Sequence, residues 1–386
     1  MKIGFDAKRA FHNFRGLGNY SRTLLDGLAK YFPENEYVLF TPPFKDERAN
    51  AFMRTHANFK IVGPEGILKT VPSLWRSVLL ARDLKHEDLD IYHGLSHELP
   101  PFVKARTKCV VTMHDLIFLR YPEFFPWIDR KIYFRKFTHS IERADLILAI
   151  CEQTKNDLME ILKAPEQKIV VAYQSCDPIF YAGHPETENN EVIRRYGIQK
   201  EFILSVGAFE ERKNQLGLIE AYKCLKEDLD LVFIGKGAAY KKLMQAKLRE
   251  HGLENRAHFL ENVLHQDLPH FYQQALVMVY PSFFEGFGLP IVEALFSGCP
   301  VVTSEGSCFP EAGGPKTLYV NPKKTDDLAE AIQKILRSSE LRQDMIQSGR
   351  DYVQRFHQMK TTQHLMARYR EVGVRVAVTS SVANLN

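Results

Sequence analysis

The chain lacks the features that would place it in several common classes. It has no Cys-x-x-Cys pair, and its six cysteines (Cys109, Cys151, Cys176, Cys224, Cys299 and Cys308) stand far apart. That pattern argues against a disulfide framework and reads as a reduced cytosolic chain whose thiols serve as small buried residues. No histidine–cysteine cluster has zinc spacing. No apolar run approaches the roughly 20 residues of a transmembrane helix. Met1 to Asp6 reads at once as a strand, with no signal-peptide pattern. The expectation is a cytoplasmic protein, soluble or attached only at the inner membrane surface. The formal net charge of +4 is too small to suggest nucleic acid as a partner. The dinucleotide fingerprint is missing too: after Gly16 and Gly18, Ser21 stands where a third glycine belongs. Gly235-Lys236-Gly237 lacks the spacing of a Walker loop.

What is present is an alternation of strand-like and helix-like segments. At 386 residues the chain exceeds what one core usually supports, so two domains are expected. Short apolar strands are predicted over 2–5, 37–40, 59–61, 91–92, 108–112, 146–149 and 169–172, with helical patterns between many of them. A second series alternates from Phe202 to Arg337. Such alternation predicts an α/β fold of two doubly wound, Rossmann-like domains facing across a cleft. The boundaries read as 1–176 for the first domain, a polar linker over 177–200, and 201–360 for the second. A last helical stretch within 361–386 is expected to pack back on the first domain. Ligands of open α/β sheets bind beyond the carboxyl ends of the strands, so the loops there carry the candidate chemistry.

The most informative of these loops runs from Tyr280 to Ser304. Glu285 and Glu293 stand eight residues apart around Gly286, Gly288 and Pro290, between two apolar strands. A strand, a glycine turn and a helix start form a recipe for holding phosphate, because helix N-termini present unpaired N–H groups and a positive dipole end. Glycine also lets backbone approach a ligand. A second loop, Gly207 to Gln215, places Arg212 and Lys213 together after a strand. They suit a diphosphate, Arg212 as a planar fork and Lys213 as a point charge; a solvated charge cluster balanced by Glu210 and Glu211 is the competing reading. A third strand ends in His114-Asp115, where a histidine can donate to a substrate or move a proton, or can simply be satisfied within the fold. His93-Gly94 reaches the same sheet edge. Gly16 and Gly18, next to Arg15, read equally as a tight turn or a ligand loop. Asp-Leu-Asp at 88–90 and 228–230 offers carboxylate pairs for a divalent ion but reads better as a polar connection into a strand.

Taken in order, Gly16-x-Gly18, His114-Asp115, Arg212-Lys213-Asn214 and the pair Glu285 and Glu293 resemble the retaining glycosyltransferases of family 4, which have the two-domain GT-B architecture. The resemblance spans Lys2 to about Gln358, and its most specific part is Pro-Ser-x-x-Glu-Gly-Phe-Gly-Leu-Pro. Two departures are Cys151, where the family often has serine, and Phe356-His357-Gln358, which lacks a tryptophan. The resemblance implies that Arg212 and Lys213 bind the donor diphosphate. It implies that Glu293 holds the ribose hydroxyls, and that Glu285 and His114 contact the transferred sugar. It also implies backbone contacts at Phe287, Gly288 and Leu289, passage of Asn262 and Val263 past the base, and approach of Gly16, Gly18 and Gly207 to the phosphates or acceptor. It further implies no metal and no cofactor beyond the nucleotide sugar itself.

The run from His114 to Pro126, with Phe5 to Arg9, looks most like bacterial members that add mannose to O-antigen or related polysaccharides. GDP-mannose is the leading donor, with UDP-glucose, UDP-galactose and UDP-N-acetylglucosamine open. The acceptor is expected to be a growing glycan, free or on a polyprenyl diphosphate carrier. The segment from Ile67 to Lys85, with Trp75 and four cations, has the composition of an interfacial helix and equally that of a surface helix packing inward. Alternatives are a GT-B sugar-nucleotide epimerase, a nucleotide-sugar-binding module without catalysis, and a dinucleotide-dependent oxidoreductase, which Ser21 argues against.

Overall fold

In the computed structural model, residues 1–56, 58–64, 80–101 and 103–383 are described. Most of the proposed interfacial segment, 67–79, lies outside them. The chain divides into two compact units, one of Met1–Ser175 with His357–Asn386 and one of Cys176–Phe356.

The first unit is built on seven strands: β1 (Lys2–Asp6), β2 (Glu36–Phe40), β3 (Phe59–Val62), β4 (Ile91–Gly94), β5 (Lys108–Met113), β6 (Leu146–Ala149) and β7 (Ile169–Val171). All pair in parallel, in the order β3-β2-β1-β4-β5-β6-β7. The residues of β2 explain why the sheet is covered on both sides. Successive side chains point to opposite faces; Tyr37 and Leu39 join one apolar cluster with Phe5 and Ile91, while Val38 and Phe40 join another with Tyr92 and Val111. Strands apolar on both faces are the mark of a parallel sheet between two helical layers.

The C-terminal helix Gln358–Ala383 belongs to this unit and packs on the helix Gly16–Tyr31. Gly27 makes that approach possible, since a methyl group there would meet Thr362 and Gln358. Gln358 Nε2 donates to the carbonyl of Thr23 at 2.9 Å, and the Tyr369 hydroxyl meets His93 Nδ1 at 2.5 Å.

The second unit has six parallel strands: β8 (Phe202–Val206), β9 (Asp230–Ile234), β10 (Ala257–Leu260), β11 (Val277–Tyr280), β12 (Val301–Ser304) and β13 (Leu318–Val320). Their order, β10-β9-β8-β11-β12-β13, is the doubly wound one. The segment 177–200, read from the sequence as a linker, is instead part of this unit. It holds the helix Glu186–Arg195, which packs on the helix Leu268–Gln274, where Asn189 bonds His270 and Gln273, and which buries Val192 and Ile193. Four glutamate and arginine residues at its ends hide how short its apolar stripe is, which is why composition alone suggested a linker.

Candidate active site

The strand order of the second sheet reverses between β8 and β11, and a crevice opens beyond the carboxyl ends of strands at such a switch point. The loops leaving these two strands carry Arg212, Lys213 and Glu285. After β8 the chain turns at Gly207, whose φ of 147° suits glycine. It makes one 3-10 turn over Glu211–Lys213 and reverses at Asn214, which sits in the left-handed region (φ 54°, ψ 35°). Asparagine tolerates that conformation, and its Nδ2 anchors the turn by donating to the carbonyl of Pro322 at 2.7 Å. The turn aims Arg212 and Lys213 at the loop after β11.

Both cations converge on one carboxylate. Arg212 Nη1 lies 2.8 Å from Glu285 Oε2, and Lys213 Nζ lies 2.6 Å from Oε1. Arg212 also donates to the carbonyl of Phe284 and to Glu210 Oε1, each at 2.6 Å, and its own carbonyl accepts the N–H of Phe283 at 2.9 Å. Lys213 donates to the Tyr280 hydroxyl at 2.5 Å and lies 4.8 Å from the centroid of that ring. Burial alone would raise the Glu285 carboxyl, but Lys213 and Arg212 outweigh it and hold the group at about 2. Burial lowers the Lys213 ammonium, and Glu285 opposes that shift. The cluster is thus two cations on one internal anion, with Glu210, more exposed, at its rim.

Beyond Glu285, Gly288 adopts φ 96° and caps the helix Leu289–Phe296, with Pro290 in its first turn. Phe287 is buried, edge-on to Phe356 at 5.3 Å. Glu293 is on the second turn and does not join the cation cluster: it accepts from the Tyr272 hydroxyl at 2.8 Å. Burial raises its carboxyl, and it shares a field with His265 and Asp177, themselves paired at 3.0 Å. Asn262 is exposed and accepts from Lys236 at 3.0 Å, with Val263 beside it half-buried.

In the first unit, His114 follows β5 and is fully engaged. Its Nε2 meets the carbonyl of Leu95 at 2.9 Å, so that nitrogen carries the proton; Nδ1 then accepts from Gln174 Nε2 at 2.9 Å. The Tyr20 ring lies 4.7 Å away and the His97 ring 5.1 Å. Burial, followed by the neighbouring His97, lowers His114 to about 3, so the imidazole is neutral at physiological pH. A ligand reaching this ring must displace Gln174 or Leu95. His93 is likewise buried and bonded on both nitrogens, to Tyr369 and Thr112. Gly16 opens the helix Gly16–Tyr31 with free space around its Cα, whereas Gly18 is wedged against the carbonyl of Asn13, so its missing side chain is a packing requirement.

Both Asp-Leu-Asp segments are occupied by structural partners. Asp88 pairs with Lys104 and Arg106, Asp90 accepts the N–H of Lys2, Asp228 pairs with Lys200, and Asp230 with His258. The sequence reading did not single out Tyr280, Tyr272 or Gln174 for chemistry. Tyr280 had a visible signal, as the last residue of the strand leading into the glycine turn.

Comparison with known proteins decides what this architecture belongs to. Residues 14–178 match the model described as Glycosyltransferase Family 4, and residues 188–352 match Glycosyl transferases group 1. The chain is a glycosyltransferase built of these two family domains. Among its curated relatives, O-antigen chain mannosyltransferase B of Escherichia coli is 28% identical over 365 residues, covering 89% of this chain and 92% of that protein. O-antigen chain mannosyltransferase RfbU of Salmonella typhimurium is 28% identical over 262 residues, 68% of each chain. Among solved structures, Anabaena Alr3699/HepE in complex with UDP and glucose has a TM-score of 0.78 at 19% identity, covering 96% of this chain and 100% of that one. The lipopolysaccharide glycosyltransferase WaaG has a TM-score of 0.71 at 17% identity, covering 95% and 98%. These structures fix the GT-B fold of this glycosyltransferase.

Proposed function

We propose that this enzyme transfers mannose from GDP-mannose, with retention and without a metal, to a growing cell-surface glycan, free or polyprenyl-linked. The observation that carries the reading is the convergence of Arg212 and Lys213 on Glu285 at the switch point of the second sheet. A nucleoside diphosphate leaves with an added negative charge. Two fixed cations, set against the internal Glu285 and the more exposed Glu210, offer the positive groups that such a charge needs, and preorganised charge of this kind acts on the transition state. Glu293, half-buried and oriented by Tyr272, would hold the ribose. Glu285 is tied to two cations, a poor state for a nucleophile, and this favours same-face attack in which the departing phosphate oxygen takes the acceptor's proton. The mannose assignment is supported by the names of the two O-antigen relatives.

The donor is tested by a thermal-shift screen of nucleotide sugars, since a ligand that binds only the folded state stabilises it by mass action. GDP-mannose should raise the midpoint most; a larger rise with a UDP-sugar would replace the donor assignment. Anomeric configuration of the product, read by NMR, should match that of the donor, and trapping of a covalent glycosyl–Glu285 species would contradict the same-face step.

We further place the enzyme at the membrane surface. Among the described residues, no helix is long and apolar enough to cross a membrane. The helix Trp127–Arg143, however, exposes Trp127, Ile128, Ile132, Tyr133 and Phe134 beside Arg130, Lys131, Arg135 and Lys136. Exposed apolar side chains interleaved with cations fit an anionic interface. In flotation with anionic vesicles the protein should rise with the lipid, and replacing Trp127, Ile128 and Phe134 together by serine should leave it at the bottom. Flotation unchanged by that triple variant would contradict this placement.

A further inference from the structure

Away from the cation cluster, His184, Glu188 and His270 bring three donor atoms within 4.8 Å of one another. Glu188 Oε1 lies 3.4 Å from His184 Nδ1 and 4.0 Å from His270 Nε2. Zinc binds imidazole nitrogen and carboxylate oxygen at about 2.0–2.2 Å, so tetrahedral ligands stand about 3.4 Å apart. One pair already has that separation. Glu188 and His270 must close from 4.0 Å, and the nitrogens of His184 and His270, within 4.8 Å of each other, must also draw together. Glu188 is exposed and His184 half-exposed, so both have room to move.

The surroundings orient these donors. His270 is buried on the helix Leu268–Gln274, and its Nδ1 lies 2.7 Å from Asn189 Oδ1. The Asn189 amide cannot be turned the other way, because its Nδ2 donates to the carbonyl of His184 and to Gln273 Oε1. His270 Nδ1 is therefore the protonated nitrogen of the neutral ring, and the Nε2 lone pair faces the Glu188 carboxylate. Two acceptors face each other there, an arrangement that a cation between them resolves. A ligand histidine whose second nitrogen donates to a fixed carbonyl is the outer-shell arrangement of protein metal sites. Gln273 completes the frame: it accepts the N–H of His184 at 3.0 Å and donates to the carbonyl of Ala182 at 2.8 Å.

We propose that His184, Glu188 and His270 form a binding site for a divalent ion of the zinc class, with water as the fourth ligand, clasping the segment before the helix Glu186–Arg195 to the helix Leu268–Gln274. Two imidazoles and one carboxylate select zinc-like ions over magnesium or calcium, which prefer oxygen-only sets. The sequence hides the site because His270 lies 82 residues beyond Glu188. The site uses none of the residues assigned to glycosyl transfer and does not depend on the proposed donor.

The test is calorimetric titration of the full-length, chelator-treated protein with ZnCl2 and with MgCl2, together with the absorption spectrum of the Co2+ form. One Zn2+ per chain, a tetrahedral Co2+ spectrum and no Mg2+ binding are expected. His184→Ala and Glu188→Gln, both at accessible positions, should stay folded and weaken Zn2+ binding about tenfold or more, the scale of losses around metal sites. Absence of Zn2+ binding, or binding that both variants leave unchanged, would overturn the proposal.

Discussion

Replacing Lys213 by alanine is expected to lower turnover about 100- to 1000-fold, equivalent to about 3–4 kcal/mol of lost transition-state stabilisation. The variant should remain folded. Glu285 keeps Arg212 as a partner at 2.8 Å, and Arg212 stays fastened to the loop after β11 through Phe284 and Phe283. The loss should therefore appear in the chemical step rather than in the unfolding midpoint. Steady-state transfer assays beside thermal unfolding separate the two. Turnover within threefold of wild type would refute the assignment of charge to Lys213.

Glu285→Gln should act in the opposite way, on stability first. It leaves Lys213 and Arg212, both half-buried, without their shared anion, Arg212 keeping only the more exposed Glu210, and breaking a buried pair from one side costs about 3–5 kcal/mol. A similar size follows from the carboxyl itself. Its folded value of about 2 against the ordinary 4.5 corresponds to stabilisation on the order of 3 kcal/mol at neutral pH. In a unit of this size the unfolding midpoint should fall by roughly 6–12 °C. The pH dependence has a definite sign. The unfolded chain takes up a proton at Glu285 before the folded chain does, so this contribution is whole above about 4.5 and disappears as pH falls toward about 2. The variant should lack that segment of the acid-unfolding curve. Identical acid profiles for the two proteins would show that Glu285 is not held by the cations.

The fold was legible because its strands are apolar on both faces and regularly spaced, so β2, β5 and β6 were located to within a residue. The helix Glu186–Arg195 was missed because charged residues dominate its composition, and only Val192 and Ile193 mark its buried side. The convergence on Glu285 was not legible as such. The sequence singled out two cations and, 72 residues on, a glutamate; only the β8–β11 adjacency makes them neighbours. The two glutamates of the glycine turn look equivalent in the sequence, and the helix start separates them. Glu285 faces cations while Glu293 faces the Tyr272 hydroxyl. His114 shows the same limit from the other side. A strand-end histidine suggests chemistry, but Leu95 and Gln174, distant in sequence, occupy both its nitrogens.

The central claim, that Arg212 and Lys213 hold a diphosphate, is tested most directly by calorimetric titration of wild type and Lys213→Ala with GDP and with GMP. Wild type should prefer the diphosphate about tenfold or more, roughly 1.4 kcal/mol, and the variant should lose most of that preference. Equal affinity of wild type for GDP and GMP, or a preference that survives intact in the variant, would contradict the account.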